Sequence, residues 1–363
     1  MRIIHCADVH LDSKLDTHFT GEQKKQRQAE LLDNFADMIE FAAVNDVKAV
    51  IIAGDLFDKG KVSQKTVSVI SGCIRTNPQI DFFYLRGNHD LEGNLEYLEK
   101  ECPNLHFFDK SFRVYDIGSC ISIYGSENGL EHKEELYRML EQNRKRFNIV
   151  ILHGQIVFAT TDCYEDININ LLKNRGIDYL ALGHIHKYTE DRLDERGHWC
   201  YSGCLEGRGF DECGSHGFVL LDIDEQSGRY ERSFVEMGKR KIIETEIDIT
   251  ECYDSNECVA LAAEEALKAG AEHNDMVSIV MTGERDEDNE PDEAYIATRL
   301  LREFFKVRIE DRTTVRIDIE KYRNEVSLKG EFVRQVLADP SLDEKMRNAV
   351  IRTGFNAFRG DDI

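Results

Sequence analysis

The chain has 363 residues, 41% of them hydrophobic, and a formal net charge of −23. That length suggests two domains with a real core, and no apolar run approaches the length of a membrane span. The acidity argues against tight unassisted binding to nucleic acid, which rewards basic surfaces, unless divalent cations or a partner supply the positive charge.

Met1 leads straight into Arg2-Ile3-Ile4-His5-Cys6-Ala7, which reads as a first strand, and no signal peptide is expected. Ten scattered cysteines read as reduced thiols, so a cytoplasmic location is expected. Residues 1–10 form strand then loop, with Asp8 and His10 at the tip. Residues 21–44 carry Leu31, Leu32, Phe35, Met38, Ile39 and Ala42 at helical spacing. The apolar strand 49–53 then delivers Gly54-Asp55-Leu56-Phe57-Asp58. Ser63 is the expected N-cap of a helix to about Thr76. Ile80 to Leu85 reads as a strand that opens into Arg86-Gly87-Asn88-His89-Asp90.

A short helix near 94–101 and strands near 105–108, 112–116 and 120–124 come next, then a charged helix at 131–146. Strand 148–152 ends in His153-Gly154. A helix at 168–175 precedes strand 177–182, which ends in Gly183-His184-Ile185-His186, and strands dominate from about 188 to 235. This alternation predicts an α/β (α+β) layered sandwich with mixed sheets. Residues 242–320 then read as a compact βαβαβ unit, with an acidic loop from Glu284 to Glu293 that reads as solvated. Two amphipathic helices follow at 328–338 and 342–353. The expected domains are 1–238, a capping domain at 239–324 and a helical hairpin segment at 325–363.

A charge at the end of a buried strand is costly unless it is paired or holds a metal. Here Asp8, His10, Asp55, Asn88, His153, His184 and His186 all stand at such ends. Scaffolds fix strand ends while the loops stay open to substrate. Carboxylate, amide and imidazole donors suit manganese, iron or zinc, and seven ligands suit two ions about 3.5–4 Å apart. Asp55 is the expected bridge. Each piece alone has a plainer reading: Asp8-x-His10 is a loop dipeptide and Gly54-Asp55-x-x-Asp58 a turn. Their joint order carries the argument. Cys200, Cys204, Cys213 and His216 could be imagined as a zinc site, but ordinary buried thiols are the default there.

With these motifs in hand, the chain resembles calcineurin-like metallophosphoesterases, and more narrowly SbcD-type DNA-repair exonuclease subunits of the YhaO-like branch. Ala7-Asp8-Val9-His10-Leu11-Asp12-Ser13 and Leu205-Glu206-Gly207-Arg208-Gly209-Phe210-Asp211-Glu212 carry the narrower likeness. The resemblance implies a four-layer sandwich of two mixed β-sheets flanked by helices. It also implies one ion on Asp8, His10, Asp55 and His186, and another on Asp55, Asn88, His153 and His184. His89 would face the phosphate as a catalytic group, with Asp90 orienting its ring, and manganese would be the usual metal. DNA and an SbcC-like coiled-coil ATPase gripped by the final hairpin are the implied partners, with a homodimer as an option. Two other functions compete: a phosphodiesterase or phosphatase for small nucleotides, and a catalytically dead interaction subunit.

Overall fold

A computed structural model describes residues 1–15, 19–59, 62–90, 96–159, 163, 165–287 and 289–359. The chain divides into two compact units, Met1–Ile243 with Asn274–Met276, and Glu244–His273 with Val277–Ile363.

The first unit is built on two six-stranded sheets. One orders the strands Tyr230–Glu236, Gly217–Ile223, Arg2–Cys6, Val47–Ala53, Asp81–Leu85 and Leu105–Phe107. The other orders Thr189–Arg192, His198–Tyr201, Tyr179–Gly183, Phe147–His153, Ile121–Gly125 and Arg113–Ile117. Both are mixed: the central strands run parallel and the outer ones antiparallel, except that the edge strand Leu105–Phe107 pairs in parallel with Asp81–Leu85. Strand side chains alternate between faces. The odd-numbered Ile3, Ala49, Ile51, Phe83, Ile123, Ile149, Ile151 and Ala181 accordingly meet in one core between the sheets. On the second sheet the even-numbered Val150, Leu152, Leu180 and Leu182 point the other way. There they pack with Leu136 and Leu140 of helix Lys133–Gln142. Helix Gly21–Val44 buries Leu31, Phe35, Met38 and Ile39 and contacts strand Val47–Ala53. The architecture is two mixed sheets flanked by helices, as the resemblance implied.

One expected element of this unit is replaced. The helix expected at 168–175 is a strand, Asp166–Asn168, and a single 3-10 turn, Ile169–Leu171. Asn168 accepts from the amide of Asn170, and Asn174 takes a left-handed φ of 61°, so a continuous helix does not propagate. The helix expected at 94–101 is Glu96–Glu101, and positions 94–95 lie outside the described residues.

The second unit holds a three-stranded sheet of Ile242–Asp248, Met276–Thr282 and Lys306–Asp311, with helices Ser255–Lys268 and Glu293–Leu300. Its last expected strand, 307–319, is broken. Asp311 accepts from the amide of Thr313 at 2.7 Å, and Thr314–Arg316 then pairs in parallel with Glu284–Asp286. The acidic stretch is therefore not merely solvated. Glu284 meets Arg316 at 3.5 Å and Arg352 at 2.7 Å, and Glu287 meets Lys329 at 2.7 Å.

The final helices are Leu328–Ala338 and Glu344–Arg359, preceded by Ile319–Asn324. Tyr322, Val333, Val336, Ile351 and Phe355 form their common core, which straddles position 325. Leu328 and Met346 stay exposed, while Phe332, Leu337 and Leu342 are half-buried. Residues 360–363 of the expected terminal segment lie outside the described residues. Among the described residues no helix is long and apolar enough to cross a membrane.

Candidate metal centre

The parallel strands of both sheets end at one place. Asp8 and His10 follow Arg2–Cys6, Asp55 follows Val47–Ala53, and Asn88 and His89 follow Asp81–Leu85. His153 ends Phe147–His153, and His184 and His186 follow Tyr179–Gly183. The ladder continues past the strand ends in irregular form. Asp8 donates its amide to the carbonyl of Gly54 at 3.1 Å, His10 to Asp55 at 2.9 Å and Leu11 to Leu56 at 2.9 Å. The two sheets are tied across the site as well. The amide of His184 donates to both oxygens of Asp8 at 3.0 Å, and Nδ1 of His153 lies 2.9 Å from the carbonyl of Ala53.

These turns require unusual backbone. Asp8, His10, Asp55 and His184 have φ of 51°, 47°, 52° and 100°, in the left-handed region. Such residues cost on the order of 1–2 kcal/mol each and cluster where function demands them. Gly54, at φ 94°, and Gly87 are glycine for a second reason: a Cβ at 54 would strike Nδ1 of His153, and one at 87 would strike Oδ1 of Asp55.

Asp55 stands at the centre, 2% exposed. Its Oδ1 accepts from the amide of His89 at 2.9 Å, and its Oδ2 lies 3.4 Å from Nε2 of His153 and 3.7 Å from Nε2 of His10. Nε2 of His10 lies 3.2 Å from Nε2 of His186. Nε2 of His153 lies 3.2 Å from Oδ1 of Asn88, and the rings of His153 and His184 meet edge-on with centroids 5.4 Å apart. All seven expected residues are therefore gathered at one site. Donor atoms of Asp8, His10 and His186 lie within 4.8 Å of one another, as do those of Asp8, Asp55 and His153.

The donor chemistry fits cations. With the proton of His153 on Nδ1 and given to Ala53, its Nε2 lone pair points at two oxygens, of Asp55 and Asn88. Three acceptors facing one another are stable only with positive charge between them. The field says the same. Burial pulls the His153 imidazole down, but Asp55 and Asp8 outweigh it and raise it to about 9. Burial pushes the Asp55 carboxyl up, yet His153 and His10 hold it well below the usual carboxylate range. Burial, with the Asp55 charge beside it, pushes Asp8 up to about 6, and burial, with Arg208 and His186 nearby, drives His10 down to about 3.

Two residues at the site were not assigned from sequence. Asp58 places Oδ1 2.9 Å from Nδ1 of His89. Asp90, expected to orient that ring, instead accepts from the amides of Phe57 and Gly87, both at 2.9 Å, so the orienting contact belongs to Asp58. Glu212 lies 2.7 Å from Nδ1 of His186 and also accepts from Arg208 at 2.8 Å. Burial raises its carboxyl, but His186 and Arg208 hold it well below normal. Glu212 fixes the His186 tautomer that leaves Nε2 for the cluster. The imagined thiol site does not assemble: Cys200 and Cys213 donate to the carbonyls of Tyr201 and Phe210, and Cys204 meets His216 at 3.2 Å.

A family model described as calcineurin-like phosphoesterase matches residues 1–188, more than half of the chain. The chain belongs to the calcineurin-like phosphoesterase family. Members are hydrolases that depend on a pair of metal ions, and the Asp and His clusters here are able to bind them. Among curated relatives, the uncharacterized metallophosphoesterase YhaO of Bacillus subtilis (strain 168) is 29% identical over 64% of this chain and 59% of its own length. The DNA double-strand break repair protein Mre11 of Methanosarcina acetivorans is 25% identical over 68% of this chain and 41% of its own. A component of the nuclease SbcCD of Rhodobacter capsulatus is 32% identical over 26% of this chain and 23% of its own. The chain thus spans well under two thirds of these relatives.

Proposed function

We propose that this phosphoesterase is the nuclease subunit of a DNA-repair complex and hydrolyses DNA phosphodiester bonds at a two-ion centre. The observation that carries the reading is the gathering of six other donor residues around Asp55. The DNA substrate is supported by the likeness to proteins named for double-strand break repair and for a nuclease.

Asp8, His10, Asp55 and His186 would hold one ion, and Asp55, Asn88, His153 and His184 the other. Two divalent cations, manganese in the first instance, supply Lewis acidity toward phosphoryl oxygens and a nucleophile at neutral pH. Asp55 holds both halves of the cluster in one frame. Glu212 keeps His186 turned inward. Asp58 steers the His89 ring through Nδ1, leaving Nε2 for proton transfer to the departing oxygen.

The charge of −23 sets the remaining requirement. A duplex approaching so acidic a chain needs a basic path from elsewhere, and a coiled-coil ATPase docked on the terminal helices would provide it. Ten free cysteines accord with a reducing cytoplasm. The same charge also favours a second reading, a phosphodiesterase for small nucleotides.

Assaying the protein with manganese, with and without such an ATPase, against linear duplex DNA and a chromogenic diester separates the readings. Cleavage of DNA that requires both manganese and the cluster supports the proposal. Cleavage of the small diester alone, even with the ATPase present, replaces it with the second reading. Cleavage of neither sinks both.

A further inference from the structure

His186 belongs to two spaces at once. Its Nε2 stands inside the cluster, 3.2 Å from His10, and its ring, 29% exposed, also lines a cavity of about 370 Å³. Tyr188 and Phe234 form an aromatic part of that lining, with ring centroids 4.6 Å apart and planes inclined by 31°. Both rings pack on the core between the sheets and neither is fully buried, so the core holds them in place while part of each remains accessible. Lys187, Asp211 and Ser215, all exposed, bring an ammonium, a carboxylate and a hydroxyl to the same cavity.

A cavity of this size with an aromatic wall and a few polar groups suits a flat heteroaromatic ring with hydrogen-bonding edges. A phosphodiester held at the cluster carries such a ring on the sugar beside it, within the span of a single nucleotide. We propose that the cavity receives the nucleobase of the nucleotide next to the scissile bond. The base leaves its own stack and lies against Tyr188 and Phe234, while the polar groups meet its edge. The inference rests on the phosphoesterase reading and deepens it: the substrate is held by one unstacked base as well as by its phosphate. Stacking is tolerant of sequence, so every base is accepted.

Two esters with one leaving group test this. The p-nitrophenyl ester of thymidine 5′-monophosphate carries a base, and methyl p-nitrophenyl phosphate carries none. With manganese, the wild-type kcat/KM should favour the thymidine ester by roughly 10-fold or more, the order that one base–aromatic stack supplies. Phe234→Leu should collapse that preference toward unity by removing a ring face. Ser215→Trp, at an exposed position, should do the same by filling the cavity with its own indole. Circular dichroism melts check that each variant is folded, and Ser215→Trp decides the matter if Phe234→Leu is not. A wild-type preference that survives both variants, or no preference at all, overturns the base site while leaving the phosphoesterase reading standing. Hydrolysis of neither ester defeats that reading and this inference with it.

Discussion

The carboxylate of Asp58 lies 2.9 Å from Nδ1 of His89, across 31 residues of chain. Among the described residues no other side chain makes a hydrogen bond to that ring nitrogen. Asp58→Asn should lower kcat on methyl p-nitrophenyl phosphate by about 10- to 100-fold, and His89→Ala by about 10²- to 10⁴-fold. Both variants should keep two manganese ions per chain by elemental analysis. The double variant should be no slower than His89→Ala, because the two act as one device. A silent Asp58→Asn would show that the contact does not serve catalysis.

Asp55 touches both halves of the cluster, so Asp55→Asn should weaken both ions together. Manganese titration by calorimetry should lose high-affinity binding, and the rate should drop by several orders of magnitude. A variant with full metal content and full rate removes Asp55 from the centre.

His5 is fully buried, with Nδ1 2.9 Å from the hydroxyl of Tyr179, and burial drives its imidazole down to about 3. The unfolded ring titrates near 6.5, so below that pH the unfolded chain binds a proton that the folded chain refuses. Stability is complete above about pH 6.5 and falls as pH drops toward 3, by about 1.4 kcal/mol per pH unit. His5→Asn should flatten the slope of urea-unfolding stability between pH 6 and 4.5 by that amount. An unchanged slope would mean the ring is not kept neutral.

Arg27 and Glu206 are each 1% exposed and meet at 2.7 Å. Asn34 adds a bond to the Glu206 carboxylate at 3.1 Å. Arg27→Met should strand a buried carboxylate and destabilise the fold by about 3–5 kcal/mol. Adding Glu206→Gln should recover part of the loss. Equal stability of the single and double variants in urea denaturation would refute the pairing.

Phe355 is 1% exposed and meets Tyr322 edge-on at 4.7 Å. Phe355→Ala should cost about 3–5 kcal/mol within the terminal helices. Hydrogen exchange should rise across 319–359 while the hydrolysis rate at the metal centre stays unchanged. A truncation at 325 would strip Tyr322 of its cover, so a cut ahead of Ile317 is the cleaner deletion. If exchange rises only at the mutated turn, the helices do not share one core.

The seven donors were legible because each follows an apolar strand, and Asp, Asn or His after such a run is a conspicuous break. The partner of His89 was not. Asp90 is its neighbour in sequence, but backbone amides of Phe57 and Gly87 occupy both its oxygens. Asp58 comes into place only because Leu11 and Phe57 bridge beyond the strand ends, a pairing no local pattern announces. Glu212 was visible as part of a motif, yet its role depends on its meeting His186, 26 residues earlier. The layered fold followed from alternation of strands and helices. The helix expected at 168–175 failed because Ile167, Ile169 and Leu172 are buried by an irregular turn as well as by a helical face.

The left-handed residues at the centre have a further consequence. Asp8, His10, Asp55 and His184 hold their conformations through bonds within the chain itself, from the Gly54 and Asp55 carbonyls to the paired grip of His184 on Asp8. Each of these bonds joins two atoms of the chain and needs no ion to form. Loading such a socket calls for little rearrangement of the backbone, so its speed should be governed by how readily each ion sheds its water.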